Sequence, residues 1–150
     1  MIDFNWFPGV TTRHGTIGTP ANQIAPGKRM LSSQTPTIVA KGGKVVLVTG
    51  SPGSRTIINT VLCVVVNVVE FGMDVRSAVD APRMHHAWFP DELLFEGSWD
   101  HPKAVARLRE MGHKVYGTGQ GDAHTIWVDP KTGLYHGAAD RRINGKAAGY

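Results

Sequence analysis

The sequence has 150 residues, the size of one ordinary domain, and 41% of them are hydrophobic, so a folded core is expected. Eighteen glycines and nine prolines are too few in a chain of this length to indicate a collagen-like or low-complexity protein. The formal net charge is +4, but the basic residues are scattered singly and in pairs, and no dense basic run predicts a nucleic-acid surface.

The longest uninterrupted apolar run, residues 61–66, is too short to span a bilayer, and the first residues lack the pattern of a secretory signal peptide. The single cysteine, Cys63, lies inside that run, which predicts a buried thiol and excludes an intrachain disulfide or a cysteine-based metal site. Phe4, Trp6 and Phe7 follow the first residue closely with nothing before them to pack against. We therefore expect the chain to be the C-terminal part of something longer.

Residues 1–35 are rich in Gly, Pro, Thr and Asn and show no sustained period, which predicts a long, ordered loop region. Two β-rich runs follow, residues 37–41 and 44–49, with Gly42 and Gly43 between them. Two glycines supply the positive φ angles of a two-residue turn, so these runs predict a β-hairpin.

Residues 55–71 are strongly apolar and rich in β-branched side chains, but their length and period favour a helix that ends at Gly72. One narrow polar stripe is expected on this otherwise buried helix, formed by Thr56, Asn59, Thr60, Asn67 and Glu70.

The rest of the chain predicts short alternating elements. These are a helix over 74–81 stopped by Pro82, a loop over 85–90, a strand over 93–96, an amphipathic helix over 101–111 with Val105, Leu108 and Met111 on one face, and strands over 114–116, 124–128 and 134–138. This order predicts an α+β fold, with helices packed on a mainly antiparallel sheet.

The sequence GSPGSR, residues 50–55, connects the hairpin to the apolar helix. Its glycines allow a sharp turn, and the N–H groups at a helix N-terminus favour a phosphate, a carboxylate or a developing oxyanion. The alternative is a tight strand-to-helix turn in which Ser54 is only the N-cap of the helix.

Three other groups have a chemical and a plain interpretation. Ser32 and Ser33 could bind a carboxylate or could cap a turn. Asp3, beside aromatic residues, could receive an ammonium group or be an exposed terminal acid. His85 and His86, with Asp80, Asp91 and His101 nearby in sequence, lack the helical spacing of metal ligands, so no metal or cofactor is expected.

Taken together, several motifs resemble the small subunit of the γ-glutamyltransferases, also called glutathione hydrolases. They are DFNWFPGV (3–10), KRMLSSQTPTIV (28–39), VTGSPGSRTIINTV (48–61), DAPRMHHAWFPDEL (80–93) and AAGY (147–150). The resemblance implies that residues 1–150 are the C-terminal portion of that subunit's domain, with a substrate-loop region over 1–35 and sheet and helices over 36–150. The fold it implies is the αββα sandwich of N-terminal-nucleophile hydrolases.

The resemblance also implies site residues. Asp3 matches the aspartate that binds the α-ammonium of the γ-glutamyl group, and Ser32 and Ser33 match the serine pair that binds its α-carboxylate. Gly53 and Ser54 fall on the Gly-Gly pair whose backbone N–H groups form the oxyanion hole. Serine in place of glycine keeps an N–H donor but is strained if the position requires φ above zero.

The implied activity is transfer or hydrolysis of the γ-glutamyl group of glutathione and related amides, through an acyl-enzyme on a threonine freed by self-cleavage of a proenzyme. In the family that threonine lies upstream of the residues matched here, so we expect this chain alone to be inactive. The expected partners are the large subunit and the upstream part of the small subunit, in a periplasmic or extracellular location. The alternative is a non-catalytic amino-acid-binding or interaction module.

Overall fold

The computed structural model describes residues 2–5, 9–10 and 18–150. The strands of this part of the chain are β1 (Ile2–Asp3), β2 (Leu31–Ser32), β3 (Thr37–Lys41), β4 (Lys44–Gly50), β5 (Met84–His86), β6 (Leu93–Phe95), β7 (Val115–Tyr116), β8 (His124–Val128) and β9 (Tyr135–Ala139). The helices are α1 (Ile57–Val69), α2 (Val75–Asp80) and α3 (Pro102–Glu110), with 3-10 turns at Pro20–Asn22 and Ser54–Thr56. Among the described residues, no helix has the length and apolar character needed to cross a membrane.

The central sheet has the strand order β3-β4-β8-β9, and all its neighbours are antiparallel. Helices α1 and α2 pack against it, and one buried cluster joins residues of both helices to the sheet and the segment before β8 (Val64, Val75, Val79, Ala123, Ala138). A second sheet, β5-β6-β7, has its own core with α3 (Leu93, Phe95, Val105, Val115). Its β6–β7 pair is parallel.

Local signals placed several elements correctly. Gly42 and Gly43 have φ of +58° and +75°, so the turn between β3 and β4 has the left-handed backbone that the two glycines predict. Helix α3 begins at Pro102, and Gly112, with φ of +95°, follows its end. Asp74 caps α2, since its Oδ1 accepts a hydrogen bond from the backbone N–H of Ser77 at 3.0 Å.

The side-chain exposure predicted for α1 is wrong both for part of the polar stripe and for part of the apolar faces. Thr60, assigned to the polar stripe, is fully buried, because that side of the helix faces Gly121 in the segment before β8. Ile58 and Leu62, assigned to buried faces, are 53% and 54% exposed among the described residues. The helix also begins later than expected, since residues 54–56 form a 3-10 turn. Periodicity fixes the relative angle of side chains but not which face the sheet covers.

Smaller differences concern neighbouring elements. His85 and His86, expected in a loop, lie in β5, where pairing with β6 extends the backbone. Met111, expected on the apolar face of α3, is exposed because it lies beyond the last helical turn. Cys63 is half-buried rather than buried, since its Sγ faces the carbonyl oxygen of Met84 at 3.7 Å. Trp6 and Phe7, expected to need packing partners, lie outside the described residues.

A buried ionic network fixes the segment after β9. Arg83 is 1% exposed and its guanidinium donates to Asp140 Oδ2 at 2.5 Å. Burial raises the pKa of the Asp140 carboxyl, but hydrogen bonds from the backbone N–H groups of Arg142 and Ala123 and from the guanidinium groups of Arg83 and Arg142 lower it to about 2. Arg142 also donates to Glu96 Oε2 at 2.6 Å and to the carbonyl oxygen of Val79 at 3.1 Å. The network therefore joins the segment after β9 to α2 and to the residue that follows β6.

Candidate active site

The backbone brings two of the predicted binding segments together. Strands β1 and β2 pair antiparallel, with Ile2 opposite Ser32 and Asp3 opposite Leu31. The two segments are almost thirty residues apart in the sequence, yet Asp3 lies one register position from Ser32. Asp3 and Ser32, predicted to bind an ammonium and a carboxylate, therefore have neighbouring backbone positions in one small sheet.

Two asparagines that sequence reasoning missed connect this sheet to the neighbouring loop. Asn22 Oδ1 accepts a hydrogen bond from the backbone N–H of Leu31 at 2.8 Å, and its Nδ2 donates to Asn5 Oδ1 at 3.1 Å. Asn5 in turn donates from Nδ2 to the carbonyl oxygen of Thr19 at 2.9 Å. Side-chain amides therefore connect the described parts of the region predicted as an ordered loop, and such contacts leave no periodic signal in a sequence.

The serine pair also has local partners. Ser32 Oγ accepts a hydrogen bond from the backbone N–H of Gln34 at 3.2 Å, as in the turn-capping interpretation. Ser32 is exposed and Ser33 is partly exposed, so solvent reaches both residues. A hydroxyl can donate while it accepts, so this local bond leaves the Ser32 hydroxyl proton available to a ligand.

The hairpin brings the serine pair and the glycine turn to one end of the central sheet. Thr37, near the start of β3, pairs with Thr49, near the end of β4. The chain enters β3 just after Ser33 and leaves β4 at Gly50, so residues 33–36 and residues 50–54 extend from the same end of this strand pair. The backbone thus directs both predicted sites toward one edge.

The backbone at Gly53 and Ser54 has an unusual conformation. Gly53 has φ of +137° and ψ of +16°, and Ser54 has φ of +54°. Ser54 therefore lies in the left-handed region, which costs an L-residue about 1–2 kcal/mol, so serine at this position is strained. Within the described ranges, neither residue's backbone N–H donates a hydrogen bond. Both donors remain available for a negatively charged oxygen.

The alternative role for Ser54, an N-cap of the helix, is wrong. Ser54 begins the 3-10 turn Ser54–Thr56, and the residue before α1 is Thr56. Neither N-cap position makes a side-chain cap hydrogen bond. Instead the carbonyl oxygen of Gly53 accepts from the Thr56 backbone N–H at 3.1 Å and from Thr56 Oγ1 at 2.9 Å, which fixes the turn from its carbonyl side.

A cavity of about 280 Å³ lies beside the turn, lined by Arg55, Thr56, His85, Ala87, Pro90, Glu92 and Leu94. His85 is buried and its Nδ1 is 2.9 Å from Asn59 Oδ1, an oxygen that only accepts, so Nδ1 carries the proton. Burial, and then the positive charge of Arg55 and the nearby His86, lower the pKa of His85 and favour the neutral ring. No group of three or more His, Cys, Asp or Glu side chains in the described residues has the arrangement of a metal site.

The comparisons with known proteins agree on one family. The family model described as gamma-glutamyltranspeptidase matches residues 1–150. The chain is 44% identical over 151 residues to the glutathione hydrolase proenzyme of Escherichia coli (strain K12), and the match covers 100% of this chain and 26% of that protein. It is 38% identical over 160 residues to the glutathione hydrolase proenzyme of Pseudomonas sp. (strain A14), with 100% of this chain and 28% of that protein covered.

A solved structure gives the same result for the fold. A mutant of the Helicobacter pylori gamma-glutamyltranspeptidase superimposes with a TM-score of 0.85 at 43% identity, over 93% of this chain and 77% of that one. The predicted α+β fold of N-terminal-nucleophile hydrolases is confirmed by this likeness and by the antiparallel central sheet. The chain spans only about a quarter of the length of the two curated relatives.

Proposed function

This chain belongs to the gamma-glutamyltranspeptidase family, and we propose that it forms part of an enzyme that transfers or hydrolyses the γ-glutamyl group of glutathione and related amides. The relatives named above are described as a glutathione hydrolase proenzyme or as a gamma-glutamyltranspeptidase, which supports this activity. The chain matches about a quarter of its relatives' length, so we propose this activity for a longer protein that would contain the chain, called the parent protein below.

Within the parent protein, residues 1–150 form the C-terminal portion of the small-subunit domain. Residues 1–35 form the substrate-loop region and residues 36–150 the sheet and helices. The large subunit and the upstream part of the small subunit complete the sandwich and supply the threonine nucleophile. This chain then forms one wall of the acyl-transfer site and does not itself carry the group that is acylated.

The observation that carries the proposal is the pairing of β1 with β2, which places Asp3 beside Ser32 in the fold. A free γ-glutamyl group carries an α-ammonium and an α-carboxylate on one carbon atom. Asp3 in β1 offers a carboxylate, and Ser32 in β2 and Ser33 directly after it offer two hydroxyls, which suit these two charges. Asp3 would bind the ammonium, and Ser32 and Ser33 would donate to the carboxylate.

The glycine turn supplies the second half of the chemistry. The α-amino group of the threonine would take the hydroxyl proton as the threonine oxygen attacks the γ-carbonyl carbon, and the carbonyl oxygen becomes an oxyanion. When the C–N bond breaks, that proton passes to the leaving amine and the acyl-enzyme forms. The unused backbone N–H groups of Gly53 and Ser54 would donate to that oxyanion. Water or an amine then takes up the γ-glutamyl group through a second tetrahedral intermediate of the same kind.

The test is release of the chromophore from a γ-glutamyl anilide by the purified parent protein. Asp3→Ala and the double variant Ser32→Ala/Ser33→Ala each remove a partner of one substrate charge. Hydrogen bonds to charged groups contribute about 1.5–3 kcal/mol, so kcat/KM should fall about 10- to 150-fold. Asp100→Ala, which removes an exposed carboxylate between β6 and α3, is the matched control and should leave kcat/KM unchanged.

Two results would contradict the proposal in different ways. Unchanged kcat/KM in both binding-site variants would refute the assignment of Asp3, Ser32 and Ser33. A parent protein that binds γ-glutamyl compounds in calorimetry but releases no product would instead support the non-catalytic binding module.

A further inference from the structure

The segment 120–122 lies directly behind the glycine turn. In the β4–β8 pair Gly50 is opposite His124, so the residues that follow β4 and those that precede β8 run side by side. The turn 51–54 and the segment 120–122 are thus neighbours by strand register, although about seventy residues separate them in the sequence. Sequence reasoning assigned no role to the segment.

Two glycines make the close approach possible. A Cβ on Gly53 would lie 3.2 Å from Gly121 Cα, and a Cβ on Gly121 would lie 2.8 Å from Ser51 Oγ. The same Cβ on Gly121 would lie 2.6 Å from Thr60 Oγ1 and 2.9 Å from Thr60 Cγ2. The turn, the segment and the first turns of α1 are therefore in contact with no room for a methyl group.

A hydrogen bond joins the segment to the turn. The backbone N–H of Asp122 donates to Ser51 Oγ at 2.9 Å, and the same hydroxyl donates to the carbonyl oxygen of Pro52 at 2.6 Å. One hydroxyl thus links the backbone of the segment to the backbone of the turn, one residue before Gly53.

The segment is itself fixed by the buried ionic network. Gln120 is 2% exposed, and its backbone N–H donates to Glu96 Oε1. The side-chain amide nitrogen of Gln120, Nε2, donates to the carbonyl oxygens of Leu94 at 3.0 Å and Arg83 at 3.2 Å. The guanidinium of Arg83 donates in turn to the Gln120 carbonyl oxygen at 2.6 Å. The segment is therefore a rigid surface against which the turn packs.

We propose that segment 120–122 positions the Gly53–Ser54 backbone for catalysis, with Gly121 as the positioning residue. The proposal rests on the proposed function, because it takes these two N–H groups as the oxyanion donors. Gly121 touches no substrate. It permits the close contact that keeps the donors in place, and a side chain there would displace the turn.

The experiment compares Gly121→Ala with Gly133→Ala in the parent protein. Both glycines have left-handed backbones, with φ of +63° and +75°, but a Cβ on Gly133 meets no described atom within 4 Å. Backbone strain is common to the two variants, and only Gly121→Ala pushes against the turn. We expect Gly121→Ala to lower kcat for the γ-glutamyl anilide about 10- to 100-fold, with KM within twofold. A small displacement of the two N–H donors weakens their hydrogen bonds to the oxyanion of the transition state and leaves substrate binding unchanged. Gly133→Ala should change neither constant.

A rescue variant separates positioning from loss of folding. Thr60→Ala removes both Thr60 atoms that the new methyl group would meet, and it opens space on the α1 side into which the methyl group can move away from Ser51 Oγ in the turn. Thr60→Ala/Gly121→Ala should therefore recover at least fivefold of the lost kcat. A merely structural role would instead lower the amount of folded enzyme and leave kcat per folded molecule unchanged.

Amide hydrogen exchange in the turn gives a readout that does not need activity. Exchange at the amides of Thr56 and Asp122, which donate to the Gly53 carbonyl oxygen and to Ser51 Oγ, should accelerate in Gly121→Ala relative to Gly133→Ala. The positioning role is overturned if exchange is the same in both, or if folded Gly121→Ala keeps kcat within twofold of Gly133→Ala. An inactive wild-type parent protein would refute the proposed function, and the exchange comparison would still decide the role of Gly121.

Discussion

Replacing the backbone amide of Ser54 by an ester should remove one oxyanion donor, with a smaller second effect, because the Gly53 carbonyl oxygen then accepts less strongly from Thr56. The substitution deletes the N–H but keeps the serine side chain and permits the observed φ of +54°. Loss of one donor of this kind lowers turnover about 10²- to 10³-fold, equivalent to about 2.7–4 kcal/mol of transition-state stabilisation. Proline would be a poorer probe, because its ring fixes φ near −65°, about 120° from the conformation of this turn.

The assay is kcat of the parent protein on a γ-glutamyl anilide, with the α-hydroxy acid introduced at position 54 by nonsense suppression. An ester at exposed Lys146 controls for the chemistry of the replacement. Ser54→Gly keeps the donor and removes the left-handed strain, so its kcat should hold or rise. Its stability should change by less than about 1 kcal/mol, because glycine also gains entropy in the unfolded chain. An ester at 54 with kcat within threefold of wild type would refute the oxyanion role.

Three further outcomes are expected. The purified 150-residue chain should release no chromophore from a γ-glutamyl anilide above a buffer control, because the proposed function assigns the nucleophile to another part of the parent protein; any release would refute this. The isolated chain should self-associate in size-exclusion chromatography with light scattering, through the exposed side of α1, and Ile58→Lys/Leu62→Lys should reduce the association; a wild-type monomer peak would count against it. In the parent protein, the Asp140 carboxyl should stabilise the fold fully above pH 3.8 and lose this effect as the pH falls to about 2, because its folded-state pKa lies below its ordinary value. This effect amounts to about 2 kcal/mol of unfolding free energy. Between pH 5 and pH 2 the unfolding free energy should therefore fall more steeply in wild type than in Asp140→Asn, and equal slopes against pH would refute the lowered pKa of Asp140.

Elements specified by neighbouring residues were predictable from the sequence. The β3–β4 hairpin follows from Gly42 and Gly43, whose backbone conformation is a local property. Helix α3 follows from Pro102 at its first turn and Gly112 after its end. In the same way the strand-to-helix turn at 50–55 was expected to expose N–H groups, because glycines and a helix N-terminus are both visible in sequence.

Features set by contacts between distant residues were not predictable in this way. The burial of Thr60 depends on which side of α1 meets the segment before β8. The Arg83–Asp140 pair joins residues 57 positions apart, and neither residue type predicts burial. For Asp3 and Ser32, the resemblance to a family supplied the association, and the β1–β2 register shows that their backbones lie on neighbouring strands.

The geometry predicts that Gly53 and Ser54 differ in their tolerance of substitution. At Gly53 a side chain would be strained at φ of +137°, and its Cβ would lie 2.7 Å from Thr56 Oγ1 and 3.2 Å from Gly121 Cα. At Ser54 the φ of +54° lies in the small left-handed region open to L-residues, and the residue is exposed. The role proposed for both positions uses only their backbone N–H groups. The backbone therefore accommodates serine at 54 at the cost of modest strain, whereas a serine at 53 would displace the turn itself.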